Sequence, residues 1–313
     1  MTLTPDRVQT FHRQGYLVVE DVLSTDLLNL IETEYADVLR GLSARWGLPW
    51  KGFFPTLHAM HLAGHDWFQP MDISLPGDEI AADTPFHAGP AVFELLTSPA
   101  LLDIAEALLG PEVTSTPIQH LRIKPPARDL VPGEARAHVG GTLWHQDRGV
   151  AHAEADATDM ITVWVAMTDA TEENGCLIVQ PFADDDGGAQ SMLPHCPLSQ
   201  TAIPKAHLDP ARARALPVRR GGVVLLHPMV PHASLDNLSD GFRWSFDLRY
   251  QVTGQPTGRA HFPAFVARSR AHPASELHDW RHWRRLWGEA RLACAARDHI
   301  PIHRWTSDSP HCA

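Results

Sequence analysis

The stretch from Arg243 to Tyr250 alternates strictly: Arg243, Ser245, Asp247 and Arg249 fall on one parity, Trp244, Phe246, Leu248 and Tyr250 on the other. A period of two marks a β-strand, whose side chains point to opposite faces in turn. Each face makes a demand. Four large apolar side chains need a core, whereas three charged ones would ordinarily take water. If helices pack over the apolar face, that face lies outward beneath them and the polar row lines the interior of a barrel. A guanidinium held there requires an anionic partner, because an unpaired buried charge is very costly. The planar fork of Arg243 suits a carboxylate held bidentately.

Several other runs are short and β-like: 113–124, 142–147, 160–168, 176–181 and 222–228. Gly, Pro and Asp separate them, the texture of a sandwich or jelly roll. Before them come helical signals. Thr4-Pro5 opens a short helix that Gly15 stops, and Ser24 caps a second with Leu27, Leu28, Ile31, Tyr35 and Val38 on one face. Ser98-Pro99 opens a third that ends at Gly110. Between these, 45–92 scatters Trp, Phe, Pro and His without a period and reads as irregular. Ser275 is expected to start a last helix bearing Trp280, Trp283 and Trp287. The predicted fold is mainly β with flanking helices: a double-stranded β-helix, or cupin-like jelly roll, with helices on one sheet. No repeat or Gly/Ser-rich linker divides the chain, so residues 1–313 are expected to form one domain. Its parts are a helical portion to about 110, a jelly-roll core at about 111–255 and a helical extension at 256–313.

The net charge of −11 over 313 residues, without a Lys/Arg run, argues against nucleic acid as a partner. An anionic ligand would then need a locally placed cation, which is what the Arg243 face offers. No apolar stretch reaches membrane-spanning length, and the first residues do not resemble a signal peptide. The four cysteines (176, 196, 294 and 312) lack C-x-x-C spacing, so the expectation is reduced thiols in a cytoplasmic protein. Oligomeric state is not legible.

Trp144-His145-Gln146-Asp147 supplies the chemistry. Read as a strand, it turns His145 and Asp147 to one side, and one distant histidine would complete a 2-His-1-carboxylate set with open positions. A His-x-Asp alone is weak, and the chain has 20 histidines. His227 and His232 are five apart and would face opposite sides of an unbroken strand. His232 is the better partner, because a turn at 239–241 would fold Arg243 back beside it on an antiparallel neighbour.

At this point the chain resembles the phytanoyl-CoA dioxygenase family of iron(II)/2-oxoglutarate-dependent oxygenases. The resemblance rests on ordered motifs: Phe11-His12-Arg13-Gln14-Gly15-Tyr16, Ile123-Lys124-Pro125-Pro126, Trp144-His145-Gln146-Asp147, Thr162-Val163-Trp164, Glu173-Asn174-Gly175-Cys176-Leu177, then His232-Ala233-Ser234 with Arg243 eleven residues after the histidine. It spans most of 8–250. It implies that His145, Asp147 and His232 bind Fe(II), that Arg243 and Ser234 hold the distal carboxylate of 2-oxoglutarate, and that Trp164 and His120 lie beside this cosubstrate. The implied activity is oxidation by O2 of a small organic molecule, with succinate and CO2 released. The carboxylate ligand favours hydroxylation, desaturation or ring chemistry over halogenation, with hydroxylation the first expectation. Lys124 reads as a strand-end lysine. Two departures stand out: Pro181 to Gly187 replaces a usual Pro-Gly-Ser-His loop, and 56–61 lacks a lysine that His58 could replace. The alternatives are a metal-dependent hydrolase, which would have no use for Arg243 and Ser234, and a non-catalytic metal-binding jelly roll.

Overall fold

The computed structural model describes residues 3–131, 134, 138–183, 191–302 and 304–312. Helix α1 (Pro5–Gln14) ends at Gly15, whose left-handed φ of 79° lets its N–H close back on Phe11 O. Strand β1 (Tyr16–Val19) follows. Ser24 Oγ then accepts from Leu27 N at 3.2 Å and caps α2 (Thr25–Arg45), which buries Leu27, Leu28, Ile31, Tyr35 and Leu39. The stretch expected to be irregular contains helix α3 (Phe53–Leu62). Pro55 is tolerated in its first turn, where backbone N–H groups have no helical partner. Helices α4 (Pro90–Leu96) and α5 (Pro99–Leu109) complete the layer.

The remainder is built from β2 (Glu112–Ser115), β3 (His120–Lys124), a single turn α6 (Asp147–Val150), β4 (Met160–Ala166), β5 (Leu177–Val179), β6 (Cys196–Pro197), β7 (Thr201–Ala202), β8 (Arg214–Leu216), β9 (Val223–Leu226), β10 (His232–Ser234), β11 (Arg243–Val252), β12 (Phe265–Ser269) and α7 (Trp280–Ala295). Every pairing is antiparallel. The larger sheet runs β1-β9-β4-β11-β2-β12, with β3 also on β11; a smaller one runs β10-β5-β8. This is the expected mainly β, jelly-roll class, with helices against the larger sheet. Strands β1 and β12 lie outside 111–255 yet join its sheet.

The alternation of β11 works as the sequence implies. Trp244, Phe246, Leu248 and Tyr250 are buried among the helices: Trp244 stacks on Phe53 at 5.1 Å and meets Tyr35 edge-on at 5.3 Å. Arg243, Ser245, Asp247 and Arg249 are buried on the other face. Trp283 and Trp287 of α7 are fully buried in the same helical core.

Local expectations differ in five places. The 113–124 run is two strands, interrupted at 116–119 around Pro117, which has no N–H for a ladder. His145 and Asp147 do not share a strand: His145 makes one isolated bridge to His232, and Asp147 starts α6. Strands β10 and β11 are not neighbours, because the 235–242 link crosses between sheets. Asn237 fixes that link by donating to the Lys124 and Gly241 carbonyls. The last helix is capped by Asp279, while Ser275 sits in a 3-10 turn. Finally, Cys196 and Cys312 form a disulfide, leaving Cys176 and Cys294 free. Sequence spacing could not show a contact across 116 residues, and a reducing, cytoplasmic setting loses its cysteine-based support. Among the described residues, no helix is long and apolar enough to cross a membrane.

Trp244→Ala should lower unfolding stability by about 3–5 kcal/mol through loss of a large buried ring. Urea denaturation measures it, and a loss below about 1 kcal/mol would contradict a core role for the apolar face of β11.

Candidate functional site

Ligand atoms of His145, Asp147 and His232 lie within 4.8 Å of one another, and all three side chains are buried. His145 Nδ1 donates to Leu143 O at 2.8 Å and His232 Nδ1 to Val230 O at 3.0 Å. A carbonyl only accepts, so each Nδ1 carries the proton and each Nε2 turns a lone pair inward. Each Nε2 is 3.8 Å from an Asp147 oxygen. Burial, then the neighbouring His232, holds the His145 imidazole at about 3, which keeps it neutral. Two imidazoles with inward-facing Nε2 atoms and one carboxylate, all preoriented, fit a divalent iron.

Asp147 is anchored from both sides. Thr162 Oγ1 of β4 donates to its Oδ2 at 2.5 Å, and Arg249 of β11 donates to its Oδ1. Burial raises the Asp147 carboxyl, but the Arg249 guanidinium beside it outweighs that effect and holds the group ionised. The strand-to-helix junction explains the convergence: Gln146 is extended, and the helical turn at Asp147 swings its side chain back toward His145.

The adjoining pocket is narrow and is bounded by Arg122, Trp164, Leu177, His232, Ser234 and Arg243 among others. Arg243 is 1% exposed; its Nη1 donates to Ser245 Oγ at 2.5 Å, and its guanidinium carbon lies 5.1 Å from the Trp164 ring centroid. No carboxylate is within salt-bridge distance of it among the described residues. Burial, then repulsion from Arg122, pulls its pKa down to about 9. Register places Lys124 directly opposite Arg243. Lys124 is also buried, with Nζ donating to Ser234 Oγ at 2.8 Å and Leu235 O at 2.6 Å. Burial, then Arg243, holds its pKa well below the usual lysine range. Two buried basic side chains, Arg243 on Ser245 Oγ and Lys124 on Ser234 Oγ, lie opposite one another across the ladder, an arrangement suited to an anion.

The structure therefore brings together His145, Asp147, His232, Ser234, Arg243 and Trp164. His120 shares the inward face of β3, opposite Asp247, but is bound to Asp72 at 2.9 Å with its ring tilted against His138, and it does not itself bound the cavity. His227 faces Phe11 and Phe182 instead. His58 pairs with Asp129 at 2.9 Å. The Asp184–Asp186 loop lies outside the described residues. Sequence reasoning left Lys124 as a strand-end lysine and missed its contact with Ser234, although its parity with Arg122 on β3 was available as a signal. It also missed Arg249 and Thr162 as partners of Asp147, which only the paired register of β4 and β11 reveals. A separate cavity of about 320 Å³ lies between 76–80 and 294–302 and touches none of the metal cluster.

The family model for phytanoyl-CoA dioxygenase (PhyH) matches residues 11–245. Phytanoyl-CoA dioxygenase domain-containing protein 1 of Bos taurus is 27% identical over 297 residues, covering 83% of this chain and 98% of the relative. Its Mus musculus counterpart is 33% identical over 141 residues, covering 40% of this chain and 48%, about half, of the relative. Among solved structures, the apo form of the non-heme monooxygenase ThoJ is similar in fold, with a TM-score of 0.58 at 19% identity over 93% of this chain and 99% of that chain.

Buried histidines also set a pH response. Burial lowers His195 from 6.5 to about 4, so the native state excludes a proton that the unfolded chain binds. Its contribution is fully present above pH 6.5 and is lost as pH falls toward 4. Between pH 7.5 and 5.5 the metal-free protein should lose about 1 kcal/mol from this group alone. Urea midpoints at the two pH values test this, and equal midpoints would contradict it.

Proposed function

The chain belongs to the phytanoyl-CoA dioxygenase family of iron(II)/2-oxoglutarate-dependent oxygenases, and from that premise we propose that it hydroxylates a small organic metabolite. In this reading His145, Asp147 and His232 hold the iron. Arg243, with Lys124 and Ser234, holds the distal carboxylate of 2-oxoglutarate. The observation that carries the reading is Arg243, a buried guanidinium whose side-chain hydrogen bond goes to a hydroxyl rather than a carboxylate. A buried cation beside an oxygenase metal cluster calls for an anionic cosubstrate.

When bound, iron(II) with 2-oxoglutarate and O2 supplies a two-electron oxidation of a C–H bond, the cosubstrate leaving as succinate and CO2. The chain's own residues do the positioning. Arg243 grips the carboxylate, Lys124 adds a second charge and orients Ser234, and the Trp164 ring walls the site while facing the guanidinium. An arriving carboxylate favours the charged forms of both cations, reversing the effect of burial. Arg249 and Thr162 keep Asp147 ionised and aimed, and Leu177 and Leu226 help exclude water.

The substrate is inferred to be a small metabolite rather than an acyl-CoA, although relatives are named for phytanoyl-CoA. The other cation bounding the cavity, Arg122, is already paired with Asp247 at 2.6 Å, and Arg249 nearby is committed to Asp147. The net charge of −11 likewise offers little to a polyphosphate. We also take the chain as one domain, a reading supported by β1 and β12 joining one sheet from opposite ends of the sequence.

Anaerobic addition of iron(II) and 2-oxoglutarate should produce a weak visible charge-transfer band. A folded, iron-loaded sample without that band sinks the reading. His145→Ala and Asp147→Ala should abolish substrate oxidation, assayed as succinate release. Arg243→Ala and Lys124→Met should each raise the KM for 2-oxoglutarate, by about 10-fold or more for a lost charge-assisted hydrogen bond, with kcat less affected. Turnover of an acyl-CoA without turnover of the free acid would count against the small-metabolite assignment.

A further inference from the structure

The Asp147 turn is gripped from its outer side by groups that take no part in metal ligation. His195 Nδ1 donates to Leu193 O at 2.8 Å, so its Nε2 is free to accept from the Gln146 backbone N–H at 3.0 Å. The Gln146 side chain is locked in turn, donating to Met229 O at 2.6 Å and accepting from Leu193 N at 2.7 Å. On the far side of Asp147, Trp305 Nε1 donates to the Gly149 carbonyl at 2.6 Å, and Arg304 reaches the Arg148 carbonyl at 3.3 Å. The Trp305 indole also stacks on His195, with centroids 5.0 Å apart. The packing is close enough to dictate residue type: a Cβ on Gly149 would lie 2.5 Å from the His195 imidazole.

Residues 304–312 hold this position with little structure of their own, a single 3-10 turn at Pro310–Cys312. Their covalent tie is Cys196–Cys312, and Cys196 is the residue after His195. The disulfide thus joins the segment carrying His195, one half of the grip, to the segment carrying the other half.

We propose that the 304–312 segment, pinned by Cys196–Cys312 and acting through Trp305 and His195, is a positioning element for Asp147 that makes metal affinity depend on the disulfide. The inference rests on the reading of His145, Asp147 and His232 as metal ligands. Opening the bond needs a dithiol reductant. One thiolate attacks Sγ of the half-buried Cys312, the S–S bond breaks, and Cys196 leaves as a thiolate that takes up a proton. The second thiol of the reductant then displaces Cys312 and closes the reductant's own disulfide. Two electrons pass to the protein and two protein thiols result. The freed segment no longer holds Trp305 on Gly149 and His195, and the turn bearing Asp147 gains freedom that metal binding must remove.

The test is anaerobic Co(II) titration of the full chain, read by tryptophan fluorescence and cobalt absorption. The samples are the oxidised protein, the protein reduced with dithiothreitol and desalted, Cys312→Ser and Trp305→Ala. Loosening the support of a ligand should weaken Co(II) binding by about 10–100-fold in the reduced protein and in both variants. The combination Cys312→Ser/Trp305→Ala should be no weaker than either alone, because both act by one route. Far-UV circular dichroism should be unchanged. If Cys312→Ser misfolds, Trp305→Ala, which keeps the disulfide, decides. Co(II) affinity within twofold of the oxidised protein, in the reduced sample or in folded variants, overturns the proposal. Failure of the oxidised wild type to bind Co(II) instead overturns the metal-site reading on which it rests.

Discussion

Burial of the Arg243 guanidinium is the constraint around which the site is organised. A cation in the interior is tolerable only where the fold supplies hydrogen bonds and expects an anion. Ser245 and the Trp164 face meet part of that need. Lys124, directly across the ladder, sharpens it by adding a second positive charge. The chain meets this cost because the opposite face of the same strand buries Trp244, Phe246, Leu248 and Tyr250 in the helical layer. Apolar burial outside and charge burial inside are thus parts of one strand.

The same strand links the two ends of the site. Arg243 faces the cavity proposed for the anion, and Arg249, six residues on, reaches Asp147. Asp247 lies between them, paired to Arg122 and 3.8 Å from Arg249. Metal end and anion end are therefore held at a separation set by strand rise rather than by loop conformation.

Much of this was legible in the sequence, for identifiable reasons. Period-two patterning of 243–250 specifies faces, so the inward direction of Arg243 follows once helices cover the outside. The ordered motifs then single out His145, Asp147, His232, Ser234 and Trp164, and the structure brings those side chains together. What escaped depends on contacts between distant segments. His145 and Asp147 converge through a bridge and a helical turn rather than along one strand. His120 shares the inward parity yet is drawn off by Asp72, a residue in a stretch without periodicity. The pairing of Cys196 with Cys312 and the placing of Lys124 against Ser234 each need two segments whose spatial relation no local pattern encodes.

The strict alternation of β11 also bears on how the chain can change over time. Inserting or deleting one residue there would send Trp244 into the cavity and Arg243 beneath the helices, so length changes in that strand are closed to gradual variation. The connections carry no such parity. Stretches such as 45–52 or 253–264 can therefore lengthen or shorten while the charged row stays in place. In this fold, catalytic machinery and substrate preference can diverge at different rates because one is counted in twos and the other is not counted at all.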